Sequence, residues 1–261
     1  MARRLPVLER ALGRQALFSV AYGEVASSIY FALGVVALHA LGLTPWVLLG
    51  VGALLVLVSL SYGEATAAIP ETGGSANVVR RAFNDLIGFL VGWATFLDYL
   101  LVLAISALFF PHYLGVALHL DALQRRPWDV FASVAVILVV AGLRIARGGG
   151  RFGISVLVPL LDVLTQLLLI VLGFAFLFST DALTRGVDLG HHPSWHGLAF
   201  ALPLGVLAYT GLETVANLAR EAERPRDLPR SVIPALALVS LVYVLIGWIA
   251  LSAFPPADGR T

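Results

Sequence analysis

Long apolar stretches separated by short polar segments dominate the pattern along this chain. A helix needs about 20 apolar residues to cross a bilayer. Stretches of that kind are predicted at 16–41, 46–69, 86–112, 128–146, 152–178, 197–218 and 231–254. Segment 70–85 is too polar to span and is predicted to form a loop with a short interfacial helix. The pattern predicts an all-α integral membrane protein with one transmembrane domain over 1–261.

The composition agrees with that class and removes several others. Hydrophobic residues make up 59% and charged residues 13%, against roughly 25% charged in soluble proteins. The mean hydropathy is +0.90. A net charge of +1 gives no reason to expect a nucleic acid partner, and the absence of Cys excludes disulfides and thiolate metal sites. The expected surroundings are the lipid bilayer, and the expected partner is a small molecule.

Basic residues predict the orientation, because cytoplasmic loops of membrane proteins carry an excess of positive charge. All 17 basic residues are Arg, and 13 of them fall in alternate segments that include the N-terminus. The prediction is a multi-pass protein of the bacterial inner membrane with a cytoplasmic N-terminus. An odd number of spans followed by PPADGRT also predicts that the chain is truncated after its seventh span.

The carboxylates of Glu24, Asp98, Asp162 and Glu213 each lie within a predicted span. No Arg is predicted at the same depth, and an acid at the bilayer centre costs about 2.5–3.5 kcal/mol. Protons, a bound cation or a water-filled cavity must therefore offset these charges. This indicates transport of a cation, or transport coupled to one, with H⁺ or Na⁺ as the candidate ion and no other cofactor.

Two spans contain polar, glycine-bearing interruptions, AYGEVASS at 21–28 and AYTGLETVAN at 208–217. Paired interruptions in two halves of a membrane protein indicate a binding site near the midplane, because unwound backbone must line a cavity. Ser27 and Ser28 are predicted to cap the restarting helix, whose positive end suits a carboxylate. The alternative is a small-residue contact that lets two helices pack closely.

Other polar positions carry less information. Asp98 lies near the middle of the third predicted span, beside Tyr99. Asp162 and Gln166 in the fifth span are explained about equally well by transport and by hydrogen bonds between helices. The HHPSWH segment at 191–196 could bind a metal but is better interpreted as a polar loop, so no metal site is predicted.

The ordered motifs resemble the amino acid–polyamine–organocation superfamily, and most closely its bacterial amino acid permeases. AYGEVASSIYFALG is similar to that family's first broken helix, and FLDYLLVLAIS to its third span. SYGEATAAIPETGGSANVVRRAF and AYTGLETVANLAREAERPRDLPRS resemble its second span and its sixth span, each with the loop that follows. The resemblance implies a leucine-transporter-like fold of two inverted five-helix repeats, the first over 16–178 and the second beginning at 197–254.

The resemblance also implies a function, a secondary active permease for amino acids or related amines that works by alternating access. The candidate substrate-binding residues are Glu24, Ala26, Ser27, Ser28, Tyr30, Asp98, Tyr99, Tyr209, Thr210, Gly211 and Glu213. Asp98 and Glu213 are the candidate coupling acids. Ala26 stands where the family often has Gly, and the fifth span lacks the Lys that some proton-coupled members use.

Three alternatives stay open beside the permease. Potassium uptake permeases of the same superfamily share an acid in the first break, Asp-Tyr in the third span and Thr-Gly-x-Glu in the sixth. An intramembrane enzyme is disfavoured because there is no HExxH motif, no Cys and no His deep within a span. A membrane scaffold without transport activity would leave the acids within the spans unexplained.

Overall fold

The computed structural model describes residues 14–68, 74–146, 152–180, 193–211 and 227–254, and every regular element in these ranges is a helix. Short 3₁₀ turns lie at Leu41–Leu43 and Asp121–Gln124. The α-helices are α1 (Arg14–Ala26), α2 (Ile29–Ala40), α3 (Thr44–Ala68), α4 (Gly74–Ala82), α5 (Asp85–Leu118), α6 (Trp128–Ala146), α7 (Phe152–Phe176), α8 (Trp195–Leu207) and α9 (Asp227–Ala253).

The helices match the predicted spans closely. Within the described residues, four stretches are long and apolar enough to cross a membrane: Ile29–Tyr62, Asp85–Leu118, Leu157–Phe176 and Arg230–Ala253. The apolar helices Trp128–Leu143 and Trp195–Leu207 are shorter. The bounds of α6 are those predicted, whereas α5 continues past residue 112 to Leu118. The predicted all-α membrane class is confirmed.

A short amphipathic helix, α4, leads into α5. It occupies the segment that was too polar to span, and none of its residues is buried. Arg80 near its end forms an ion pair with Asp85, the first residue of α5. The Asn84 side-chain oxygen accepts a hydrogen bond from the Ile87 N–H at 2.9 Å. This bond satisfies one of the unpaired N–H groups that every helix start presents.

Residues 1–88 and 154–261 form one compact unit, and residues 89–153 form another. In the first unit α9 packs against α1 and α3, and α2 packs against α8. Glycines allow the helices to approach closely, as small residues do in membrane helix pairs. A Cβ on Gly23 would lie 2.7 Å from the Pro159 ring of α7, and a Cβ on Gly173 would meet the Ile249 side chain of α9.

Candidate functional site

The first span is interrupted at two residues. α1 ends at Ala26, Ser27 and Ser28 form a turn, and α2 begins at Ile29. The prediction of a wider break over 21–28 is wrong, because 21–26 remain helical. Gly23, which suggested unwinding, instead provides room for Pro159 of α7. The interruption is a tight turn in which the Ser28 N–H bonds to the Val25 carbonyl at 3.1 Å.

The hydroxyl of Ser28 contacts the other interrupted helix. Its predicted role as a helix cap is wrong, because the Ser28 backbone is already helical and its side chain caps no N–H group. Instead Ser28 Oγ lies 3.2 Å from Thr210 Oγ1. Since Thr210 donates its own hydrogen to the Leu207 carbonyl at 3.1 Å, Ser28 is the donor in this pair. Ser28 is buried, and the neighbouring Ser27 is exposed.

The second interruption begins at the end of α8. The N–H groups of Ala208, Tyr209 and Thr210 bond to carbonyls three residues earlier, so the chain turns more tightly than an α-helix. Gly211 follows with a φ of +104°, a conformation that favours glycine. A Cβ on Gly211 would lie 3.0 Å from the Glu24 carbonyl oxygen. The backbones of the two interrupted helices therefore touch.

Tyr243 of α9 joins the same two segments from a third helix. Its side chain is fully buried. The hydroxyl oxygen lies 2.5 Å from the Val25 carbonyl oxygen and 2.7 Å from that of Ala208. A phenol has one hydrogen to donate, so the two carbonyls share it. The sequence gives only a weak signal for this role, a single Tyr in an apolar span.

Two polar residues of α7 form a hydrogen-bond network beside the first interruption. Tyr22 donates to Gln166 Oε1 at 2.8 Å. The Gln166 amide nitrogen donates to Asp162 Oδ2 at 3.0 Å and to the Ala26 carbonyl at 3.3 Å. Tyr30 donates to Asp162 Oδ1 at 2.7 Å. The four-residue spacing of Asp162 and Gln166 places both side chains on one helix face, and this spacing is the signal in the sequence that could have identified the pair.

Tyr209 is packed away from the interruptions, although it stands in one of them. Its buried hydroxyl donates to the Leu48 carbonyl of α3 at 2.9 Å and lies 3.2 Å from Ser240 Oγ. A Cβ on Gly52 would collide with both hydroxyls, those of Ser240 and Tyr209. The Tyr209 side chain thus takes part in helix packing and does not line the break.

The remaining predicted residues are distributed as follows. Glu24 is exposed on α1, and its carboxylate has no hydrogen bond or ion pair with any described residue. Asp98 and Tyr99 lie on the part of α5 that belongs to the unit 89–153, where Asp98 is half-buried. Glu213 lies outside the described residues, as do His191 and His192. Within the first unit the structure brings together Glu24, Ala26, Ser28, Tyr30, Thr210 and Gly211.

The Ser27–Ser28 turn between α1 and α2 meets the tight turn that ends α8, and the regular elements of the described residues are helices, most of them apolar. This arrangement is that of a polytopic membrane protein with a break in its first span. A family model described as amino acid permease matches residues 12–258, and the chain belongs to this family.

Curated relatives carry different transport names. The chain is 25% identical to the methylthioribose transporter of Bacillus subtilis, covering 89% of this chain and 52% of the relative. It is 22% identical to the low-affinity putrescine importer PlaP of Escherichia coli, covering 77% and 44%. It is 26% identical to the mouse Asc-type amino acid transporter 1, covering 96% and 49%. The chain spans about half the length of these relatives.

Proposed function

We propose that the protein is a secondary active transporter that moves amino acids or related amines across the membrane by alternating access. The contact between the two interrupted helices, Ser28 Oγ to Thr210 Oγ1 at 3.2 Å, is the observation that carries the proposal. The names of the relatives support the class, since they include an amino acid transporter and a putrescine importer.

The physical argument rests on what an interrupted helix does in a bilayer. Backbone groups freed from a helix cannot be satisfied by hydrocarbon, so they must face protein or a cavity that holds a polar ligand. The start of α2 after Ser28 offers a partial positive charge to a carboxylate. The carbonyls of 209–211 offer acceptors to an ammonium group. A zwitterionic amino acid fits both ends of such a site.

The substrate carboxylate would replace Thr210 as the acceptor of the Ser28 hydrogen bond. Ser28 donates to Thr210, and a bound carboxylate would accept the Ser28 hydrogen in place of the threonine hydroxyl. Charged acceptors form the stronger hydrogen bonds, so the exchange is favourable. Ser28 and Thr210 would then separate to admit the ligand between the two breaks.

Uptake assays on the full-length protein in liposomes test this function. The probes are a radiolabelled amino acid mixture, labelled putrescine and rubidium. Ser28→Ala should reduce uptake of the transported probe up to about tenfold, because a lost hydrogen bond costs about 0.5–1.5 kcal/mol. Ser59→Ala is the matched control, since its buried hydroxyl bonds to the Leu55 carbonyl of its own helix.

The outcomes separate the candidates. Uptake of amino acids or putrescine that falls in Ser28→Ala and not in Ser59→Ala supports the proposed site. Accumulation of rubidium, with neither organic probe taken up, would instead favour a potassium permease. Equal uptake by Ser28→Ala and the wild type would reject the assignment of Ser28.

A further inference from the structure

Asp162 is a carboxylate held by two helices at the edge of the first interruption. Oδ1 accepts a hydrogen bond from Tyr30 of α2 at 2.7 Å. Oδ2 accepts one from Gln166 of its own helix at 3.0 Å. Both bonds lie within the compact unit that contains the two interrupted helices. Each carboxylate oxygen therefore has a neutral donor.

The orientation of Gln166 follows from its neighbours. The Ala26 carbonyl can only accept a hydrogen bond, so the group 3.3 Å from it must be the amide nitrogen. The amide oxygen then faces Tyr22, which donates to it at 2.8 Å. Gln166 is fully buried. Tyr22 therefore donates to Gln166, and Gln166 donates to Asp162. Tyr30 donates to the other oxygen of Asp162.

No positive charge balances Asp162 among the described residues. The titratable groups near Asp162 are tyrosines: Tyr30 of α2 bonds to it, Tyr22 of α1 bonds to its partner Gln166, and Tyr243 of α9 lies within electrostatic range. The one ion pair among the described residues joins Arg80 and Asp85 and does not involve Asp162. A charged carboxylate in a span is costly without a counter-charge, and neutral donors offset only part of that cost.

We propose that Asp162 binds and releases one proton at Oδ1 during the transport cycle. The proton comes from the aqueous phase and forms an O–H bond on Oδ1. That new group donates to the Tyr30 oxygen, and the Tyr30 hydroxyl rotates so that its own hydrogen no longer points at Asp162. Oδ1 is the favoured position because the Tyr30 oxygen can accept a hydrogen bond, whereas the Gln166 nitrogen beside Oδ2 can only donate. No electron transfer and no other reactant is involved.

A proton suits this site better than a metal cation. Both carboxylate oxygens already accept hydrogen bonds, and the Gln166 oxygen accepts one from Tyr22. Sodium prefers several oxygen ligands at once and would have to displace these donors. A proton reverses one hydrogen bond and leaves the heavy atoms in place.

Protonation of Asp162 would affect the first interruption through the hydrogen bonds of Gln166. A neutral carboxyl accepts a weaker hydrogen bond than a carboxylate, so protonation loosens the hold of Asp162 on the amide. The same amide nitrogen bonds to Ala26, the last residue of α1 before the Ser27–Ser28 turn. Proton binding and the conformation of this turn are thereby coupled. This last step rests on the proposed transport function.

The first test needs no substrate. Infrared difference spectra of the purified protein between acidic and alkaline buffer should contain, among the C=O stretches of its protonated carboxyl groups, one band that belongs to Asp162. Asp162→Asn should lose that band. Tyr30→Phe should keep it at a higher frequency, because the acid then lacks its hydrogen-bond acceptor. Thr165→Val is the matched control and should keep the band unchanged, since the Thr165 hydroxyl bonds to Leu161 in the same helix at 2.8 Å.

The spectra decide the assignment in either direction. An unchanged band in Asp162→Asn overturns the proposal. If Asp162→Asn does not fold, Tyr30→Phe decides alone, and a band at the wild-type frequency overturns the proposal.

The second test measures coupling. In liposomes with an imposed pH gradient, the wild type should accumulate a radiolabelled amino acid mixture or putrescine. Asp162→Asn should lose this gradient-driven accumulation, and Thr165→Val should keep it. Wild-type accumulation by Asp162→Asn would refute the proton site. Absence of uptake by the wild type would count against the proposed transport function, while the infrared band would still decide on proton binding.

Discussion

The hydroxyl oxygen of Tyr243 lies 2.5 Å from the carbonyl oxygen of Val25. The bond crosses from α9 to the last turn of α1, directly before the Ser27–Ser28 turn. The same hydroxyl lies 2.7 Å from the Ala208 carbonyl, just after the end of α8. One buried side chain thus serves as the common partner of both helix ends.

Tyr243→Phe should therefore destabilise the protein by about 1–3 kcal/mol, the cost of leaving buried carbonyls without a donor. Chemical unfolding in detergent, followed by circular dichroism, measures this change. Ser59→Ala is the control, because its buried hydroxyl bonds to the Leu55 carbonyl of its own helix at 2.8 Å. A Tyr243→Phe protein as stable as the wild type would contradict the role given to this hydroxyl.

Gly211→Ala should be harmful for two independent reasons. Its φ of +104° is unfavourable for any residue with a Cβ, at about 1–3 kcal/mol. The new Cβ would also lie 3.0 Å from the Glu24 carbonyl oxygen. Gly34→Ala is the matched control, because a Cβ there meets nothing within 4 Å. In the helical α2 this alanine should stabilise by about 0.5–1 kcal/mol.

Thermal unfolding in detergent separates these two alanine variants. Opposite shifts of the midpoint, downward for Gly211→Ala and upward for Gly34→Ala, are expected. A Gly211→Ala protein with an unchanged midpoint would contradict the close contact between the backbones at Gly211 and Glu24.

The predicted orientation is testable by labelling, since the chain has no Cys. Single cysteines at Ala122 and Ala222 should differ in their reaction with an impermeant thiol reagent added to intact cells. Ala122 lies in the exposed turn Asp121–Gln124 and should be labelled. Ala222 lies in the Arg-rich segment that is predicted to be cytoplasmic, so its labelling only after lysis is expected. Labelling of Ala222 in intact cells would reverse the orientation.

Helix positions were largely predictable from the sequence because apolar length is a strong signal. The bounds of α6 were predicted to the residue at 128–146. The first interruption was predicted within 21–28 but is confined to Ser27 and Ser28. Gly23 caused the discrepancy, because a glycine can mark unwinding or a close helix contact. Only the position of Pro159 on another helix distinguishes the two.

The partners of the polar side chains were not predictable from the sequence. Serine is a preferred residue at helix N-caps, yet the Ser28 hydroxyl contacts Thr210. Asp162 and Gln166 are ordinary polar residues of an apolar span until Tyr22 and Tyr30 approach from other helices. Periodicity shows that two side chains share a helix face, but it does not show which helix packs against that face. That depends on tertiary packing between helices far apart in the chain.

The hydrogen that Tyr243 offers to both Val25 and Ala208 has a mechanical consequence. If either helix end moves alone, the hydroxyl follows one carbonyl and the other loses a buried donor, which is unfavourable. Displacement of both ends together keeps the bond intact. The two half-helices should accordingly switch as a concerted pair, and intermediates with one end open should be sparsely populated.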